Sequence, residues 1–287
     1  MIKLDILWKG IIEDLPVYFI LFFFPQARQL LDLDRGVEFL DKELEALFPA
    51  DEPSHPRFVD KLLKVYTYDG REEWILIHIE VQGYADPNFS KRMHTYFYRL
   101  LDRYQKPVTA LAIFTHSQPS HQPNHYEYNF MGTRLYYQYN SYKVAEQDEA
   151  TLLASENPFA LVVLTALKAI KSKKATDEDL MALKMDLFRT MIGKQTDKPT
   201  MRALANFLKM YVPFSKQESF RIFENNLTLI TSKNITMGIE ELILQHFKEE
   251  AKAEGKAEGK AEGKAEGKAE GKAEGKAEGK AEGKAEV

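Results

Sequence analysis

Asp60, Glu80 and Gln82 are the residues of this chain whose types and spacing could do chemistry. From Trp74 to Gln82 the sequence alternates strictly, with Ile75, Ile77, Ile79 and Val81 on one side and Trp74, Leu76, His78, Glu80 and Gln82 on the other, which is the two-residue period of a strand. Glu80 and Gln82 therefore share a face with His78. Upstream, the segment Phe58 to Thr67 ends in Val65-Tyr66-Thr67, and Asp69-Gly70 between the two segments is a hairpin signal. A three-residue turn at Asp69-Gly70-Arg71 sets Tyr68 opposite Glu72 and Asp60 opposite Glu80, with β-carbons about 5 Å apart. Two carboxylates that close repel unless a cation neutralises them, and a hard divalent ion such as Mg²⁺ does so through oxygen ligands. Such an ion activates a water and stabilises a phosphoryl transition state. The competing reading is a solvated hairpin face on which both acids are ordinary surface residues.

Other candidates surround this set. Arg92 and Tyr96 lie four apart on one helix face, placed either to anchor a phosphate or to pack on the sheet. Lys64 has the parity of Asp60 and, with Lys61, is a candidate phosphate contact. An acid of the first helix, Glu13 or Asp14, either completes the carboxylate set or is an exposed helix acid. His116, His121 and His125 cluster in sequence, but Pro119 and Pro123 break any regular ligand spacing, so zinc is not expected there. Tyr136, Tyr137, Tyr139 and Tyr142 either stack bases or are half-buried strand tyrosines.

The elements that must position these residues are legible in outline. The first fifty residues read as helical: Leu30, Leu31, Leu33, Val37, Leu40, Leu44 and Leu47 recur near helical spacing after Pro25, and Asp34 with Glu38 could start a helix. Residues 88–104, bounded by Pro87 and Pro107, have the length and aromatic spacing of a helix, and Val108 to Thr115 reads as a strand buried on both faces. Tyr126 to Phe130 and Arg134 to Tyr139 read as strands joined through Gly132. After residue 150 the strand signals stop. Asn157-Pro158, Thr176 ahead of three acids, and Ser215 with Glu218 are helix starts, and four or five helices are expected, ending near Glu250. The expected organisation is thus an α/β domain over residues 1–150, a helical region over 151–250 and a repeat tail over 251–287.

That tail repeats Lys-Ala-Glu-Gly. Its Lys and Glu residues never fall three or four apart, while like charges do fall four apart, and a glycine every fourth position costs a helix about 1 kcal/mol each relative to alanine. A solvated spacer is the expected role.

Composition narrows the classes. Hydrophobic residues make up 44% and aromatics 12% of the 287, which excludes wholesale disorder. The absence of cysteine excludes a disulfide scaffold, a thiolate metal site and a cysteine nucleophile, and fits a cytoplasmic, reducing location. The longest apolar run, Val17 to Phe24, is eight residues, too short to span a bilayer, and the acids Asp5, Glu13 and Asp14 ahead of it are wrong for a secretory signal. The net charge is -4, and nine Lys balance nine Glu in the tail, so the whole imbalance sits in the body. A nucleic-acid partner needs a local patch, since overall charge supplies no attraction.

The run Asp60-Lys61-Leu62-Leu63-Lys64-Val65, the Asp69-Gly70 turn, the strand Ile77-His78-Ile79-Glu80-Val81-Gln82 and then Arg92, Met93 and Tyr96 resemble the recombination-promoting nuclease family, a transposase-like group within the PD-(D/E)XK nuclease superfamily. The resemblance covers roughly residues 5 to 150. It implies an α-β-β-β-α-β core with a mixed central sheet flanked by helices, and an all-α region and low-complexity tail after it. It further implies a Mg²⁺-dependent DNA endonuclease with Asp60 and Glu80 as metal ligands, the backbone carbonyl of Val81 as a further ligand, and a role in recombination or mobile-element activity. Where the superfamily pattern has Lys, this chain has Gln82, which can orient a water but carries neither charge nor useful basicity. On this reading Asp60, Glu80 and Gln82 are the catalytic set, Arg92, Lys61 and Lys64 contact phosphates, DNA is the partner, no membrane is involved, and a homo-oligomer is compatible. The alternative is a catalytically inactive interaction protein that keeps the nuclease fold.

Overall fold

The computed structural model describes residues 4–42, 59–80, 87–117, 123–172, 175–194, 196–211 and 213–230. Helices α1 (Leu4–Asp14) and α2 (Pro16–Phe23) open the chain, and the proline at the first position of α2 is suited to a helix start. A short α3 (Ala27–Leu30) follows. The helix expected to run on through residues 33–40 does not form. Leu33–Arg35 makes one 3-10 turn, Gly36 takes a positive φ of 92° that ends it, and Glu38–Phe39 become a two-residue strand, β1. The leucine spacing there serves a sheet edge: the Leu40 N–H donates to the Leu62 carbonyl at 2.7 Å and the Asp32 N–H to the Tyr66 carbonyl at 2.8 Å. The remaining expected leucines, Leu44 and Leu47, lie outside the described residues.

The central sheet has the order β1-β2-β3-β4-β7, with β2 at Val59–Tyr66, β3 at Glu72–Glu80, β4 at Val108–Phe114 and β7 at Asn140–Lys143. β1, β2 and β3 are antiparallel, and β3, β4 and β7 run parallel. The sheet is mixed and flanked by helices. The crossover from β3 to β4 is carried by α4 (Phe89–Tyr104), whose Phe89, Met93, Tyr96 and Leu100 bury one stripe against Leu62, Leu76, Ala110, Ala112 and Phe114. These strand residues all have even numbers, as the two-residue period requires of one face. β5 (His125–Phe130) and β6 (Thr133–Gln138) form a separate two-stranded ribbon joined by Met131-Gly132, both at positive φ. β7, which reading the sequence missed, follows at once and returns the chain to the sheet.

The odd-numbered face carries a second core. Trp8 of α1 lies against Phe159, Phe207 and Tyr211, with ring centroids 5.8 to 6.4 Å away, and its indole N–H donates to the Tyr211 hydroxyl at 3.3 Å. These partners come from α6 (Phe159–Lys171) and α8 (Lys198–Tyr211). The other C-terminal helices are α5 (Glu149–Ala154), α7 (Asp177–Gly193) and α9 (Gln217–Ile230). Met1–Leu229 forms one compact unit. Two of the three expected capping signals act as their chemistry demands, and at the third, Ser215 with Glu218, the cap comes from Asp177 instead. The Asn157 carboxamide accepts from the Phe159 N–H at 2.9 Å, and Thr176 and Asp179 make a full capping box at the start of α7. At the start of α9 the Ser215 and Lys216 N–H groups donate to the carboxylate of Asp177, at 2.8 and 3.0 Å. No helix among the described residues is long and apolar enough to cross a membrane.

Candidate active site

The β2–β3 ladder sets the geometry of the candidate acids. Tyr66 pairs with Glu72, and the ladder then runs through Leu62 with Leu76 to Asp60 with His78 and Val59 with Ile79. The expected register, Asp60 opposite Glu80, is therefore off by two residues. The turn is the reason. It takes five residues, 67–71, in place of three: the Thr67 N–H donates to the Arg71 carbonyl at 2.9 Å, the Arg71 N–H donates back to the Thr67 hydroxyl at 3.1 Å, and Asp69 accepts from both the Thr67 hydroxyl and the Arg71 side chain. Gly70 closes the loop at φ 84°. A slip of two preserves parity, so positions 60, 78 and 80 fall on one face, with Asp60 diagonal to Glu80. On the other side of β3, Glu80 pairs with Phe114 of β4.

This corner is the carboxyl end of the parallel strands β3 and β4, where open α/β sheets place their ligand sites. The start of α4 lies over it. His78 is wholly buried, with its ring edge-on to Phe89 at 5.0 Å, and Phe89 in turn contacts Phe114 at 5.2 Å. The buried guanidinium of Arg92 sits 5.3 Å from the Phe89 ring. Tyr139 donates its hydroxyl proton to the Pro123 carbonyl at 2.9 Å, so the Ser90 hydroxyl at 3.3 Å is the donor toward Tyr139. Burial pushes the Tyr139 phenol up to about 12 against the opposing pull of the Ser90 bond and the Arg92 charge. His116 packs against Phe114 at 5.9 Å and is also buried. Two imidazoles and a guanidinium are thus held at the same strand ends as the two acid positions.

The remaining candidates are placed elsewhere or differently. Tyr96 is buried in the α4 core stripe. Lys61, of opposite parity to Asp60, is buried and bonded to both Glu13 of α1 and Asp41, which supply its counter-charge. Burial alone lowers the Lys61 ammonium, but the bonds to Asp41 and Glu13 outweigh that and raise it above the ordinary lysine range. Asp14 has a raised pKa, first from burial and then from the neighbouring Glu13 charge. Lys64 pairs with Glu38 of β1 at 2.6 Å, and it stands four residues, about 13 Å, along the strand from Asp60. Tyr137 and Tyr139 are buried, and Tyr142 packs on Phe23 at 4.9 Å, so of the four tyrosines only Tyr136 is largely exposed. His125 stacks on Tyr136 at 5.2 Å and His121 lies outside the described residues. Val81 and Gln82 also lie outside them.

Among the described residues no three His, Asp or Glu side chains converge to hold a metal ion, and the side chains of Asp60 and Glu80 are outside that set. The backbone register is what bears on a metal: it places two carboxylate-bearing positions on one face, one step apart. Sequence reasoning missed Ser90 and its pairing with Tyr139, and it named His116 only as part of a histidine cluster, not as a buried residue at the strand ends. Ser90 was legible as the residue following the first buried position of α4, but its pairing with Tyr139 spans 49 residues and has no local signature. No protein-family profile, curated protein or solved structure matches this chain.

Proposed function

We propose that the chain is a Mg²⁺-dependent phosphodiesterase acting on DNA, with the PD-(D/E)XK type of core. The observation that carries this reading is the register of β2 and β3, which sets positions 60 and 80 on one face at the carboxyl end of the central parallel strands. The order of three antiparallel strands, a helix and a further parallel strand supports the same core type. Diagonal neighbours in a ladder are about 7–8 Å apart, which leaves room for a shared cation and relieves the direct repulsion of facing carboxylates. Asp60 and Glu80 would hold the ion, with the Val81 carbonyl beside them. When bound it supplies a more acidic water and charge stabilisation at the phosphate. Gln82 orients the attacking water through its amide, and Arg92 at the start of α4 is the cation best placed for a phosphate. The test is plasmid nicking with Mg²⁺, Mn²⁺ and Ca²⁺ beside a Glu80→Ala control. Nicking that is unchanged in the control would overturn the assignment.

A second reading, a non-catalytic interaction protein on the same fold, is favoured by the solvent-exposed apolar residues of the β5–β6 ribbon. Calorimetric titration of the protein with Mg²⁺ and Mn²⁺ separates the two, because only the first requires binding that Asp60→Ala removes.

A further inference from the structure

Among the described residues β5 and β6 pair with each other and with no third strand. Their register, Tyr126 with Tyr137, Tyr128 with Leu135 and Phe130 with Thr133, collects these six residues on one face, while His125, Glu127, Asn129, Arg134, Tyr136 and Gln138 occupy the other. The base of the first face is packed on α4: Tyr126 lies against His94 at 5.2 Å and Tyr137 against Phe97 at 4.7 Å. Beyond that base the same face continues bare. Tyr128 is 43% and Phe130 61% exposed, Leu135 is 37% exposed, and Met131 at the tip is 88% exposed. Tyr98 of α4, stacked on His94 and 55% exposed, extends the surface on its helix side. A two-stranded ribbon is marginal in water unless its apolar face is covered, and a contiguous apolar patch of this kind marks an interaction surface.

Charge decides between occupants. The apolar face of the ribbon itself carries no Lys, Arg or His. Arg134, the one Lys or Arg in the ribbon, is on the opposite face and is balanced there by Glu127. A nucleic-acid backbone asks for cations that this face does not offer. A second copy of the same face asks for none, and two such apolar faces can meet across a twofold axis, which closes the contact. Each copy exposes on the order of 500 Å² across these five side chains, given the 150–250 Å² that a large aromatic carries. Complete burial of both patches removes about 1,000 Å², the floor for a biological interface and the size of a weak, reversible dimer.

We propose that this face is the docking surface for a second copy of the chain, with the two ribbons packed apolar face to apolar face across a twofold axis. The surface is distinct from the strand-end site, so the inference stands apart from the phosphodiesterase reading. Sedimentation equilibrium of the full chain should show a reversible dimer, and the Phe130→Glu, Leu135→Glu double variant should run as a monomer with an unchanged far-ultraviolet circular dichroism spectrum. A wild-type chain that stays monomeric at every concentration overturns the proposal, and so does a double variant that still dimerises. The chain has no cysteine, which permits a second arm that needs no loss of folding. Leu135→Cys should cross-link rapidly to a disulfide dimer on oxidation, whereas Asn129→Cys, on the opposite face, should not. Equal rates for the two would overturn it. A monomer whose affinity for duplex DNA falls severalfold on Phe130→Glu would give the face to nucleic acid and also overturn it.

Discussion

Asp60 stands directly opposite His78 across the β2–β3 ladder, and His78 is wholly buried with its ring against Phe89. Leu62 and Leu76, the next pair along the same face, are also fully buried. β3 is covered on both sides, since Ile75 and Ile77 are buried as well. The competing reading for the acid positions is a solvated hairpin face, and the fully buried Leu62, Leu76 and His78 next to them argue against it.

On the proposed reading, Asp60→Ala and Glu80→Ala each lower Mg²⁺-dependent nicking by about 10²-fold or more, as does a chelator, because each removes a charge that holds the ion. Gln82→Ala loses less, since it removes an orienting amide and no charge. Single-turnover nicking of supercoiled plasmid checks this, with circular dichroism to establish folding. Full activity in either carboxylate variant would end the metal assignment.

Much of this corner was legible because its signals are local. Alternation fixed the faces of β3, and the long aromatic stripe fixed α4. What failed was the register: Asp69-Gly70 marks a turn but not its length, and the side-chain bonds of Thr67, Asp69 and Arg71 stretch it to five residues. The helical reading of the leucines from 31 to 40 failed for a related reason. Helical spacing in a short apolar run cannot be told from residues dropping onto a sheet edge, and Gly36 was the breaker that decided it. Pairings between distant segments, such as Trp8 with Tyr211, have no local signature at all.

Lys61 supplies the second prediction. Its ammonium is bonded to Glu13 and Asp41 on the face opposite in parity to Asp60, so Lys61→Met should leave DNA affinity unchanged. Both acids are roughly half exposed and can be rehydrated, which limits the loss of stability to about 1–2 kcal/mol. Lys61→Ala should cost more, because it also removes the packed stem. Urea denaturation and fluorescence-anisotropy titration with DNA check the two halves, and a large fall in DNA affinity would return Lys61 to the phosphate-contacting set.

The ribbon tip gives a third. Two-residue hairpin turns with both central residues at positive φ favour Asn-Gly, yet here Met131 takes φ 46° ahead of Gly132. Met131→Asn should therefore raise stability by about 1 kcal/mol, the strain of a left-handed residue with a bulky side chain. Thermal melting at high dilution, where association does not contribute, is the measurement. No gain would mean that Met131 makes compensating contacts within the chain.

The repeat from Gly255 onward should be dispensable for folding and cleavage. It has no apolar side chain larger than alanine before Val287 and no net charge, so it can bury little apolar area and offers no general attraction to DNA. Truncation after Glu254 should leave the melting temperature and nicking rate nearly unchanged. A loss of many degrees, or of cleavage, would show that the repeat docks or holds an assembly together.

The last prediction concerns Lys184, which occupies an apolar position in the α7 stripe formed by Leu180, Leu187, Phe188 and Met191. Its ammonium is buried, donates to the Leu208 and Lys209 carbonyls at 2.8 Å each, and lies over the rings of Phe214 and Phe223. These carbonyls end α8, where a cation is favoured by the helix dipole. Burial nevertheless dominates, and with the charge of Lys209 it lowers the Lys184 pKa to about 7. Between that value and the ordinary lysine value of 10.5 the unfolded chain holds a proton that the folded chain has released. Folding stability therefore rises with pH across this window, by at most one proton's worth, about 1.4 kcal/mol per pH unit. Above about pH 10 the trend reverses, because burial pushes the Tyr139 and Tyr211 phenols up to about 12 and unfolding then releases their protons. Urea midpoints from pH 7 to 10 should climb in the wild type and stay flat in Lys184→Met, which keeps the volume and removes the titrating group. A wild-type profile as flat as that of the variant would mean that Lys184 stays charged in the fold, held by the two carbonyls and the helix end.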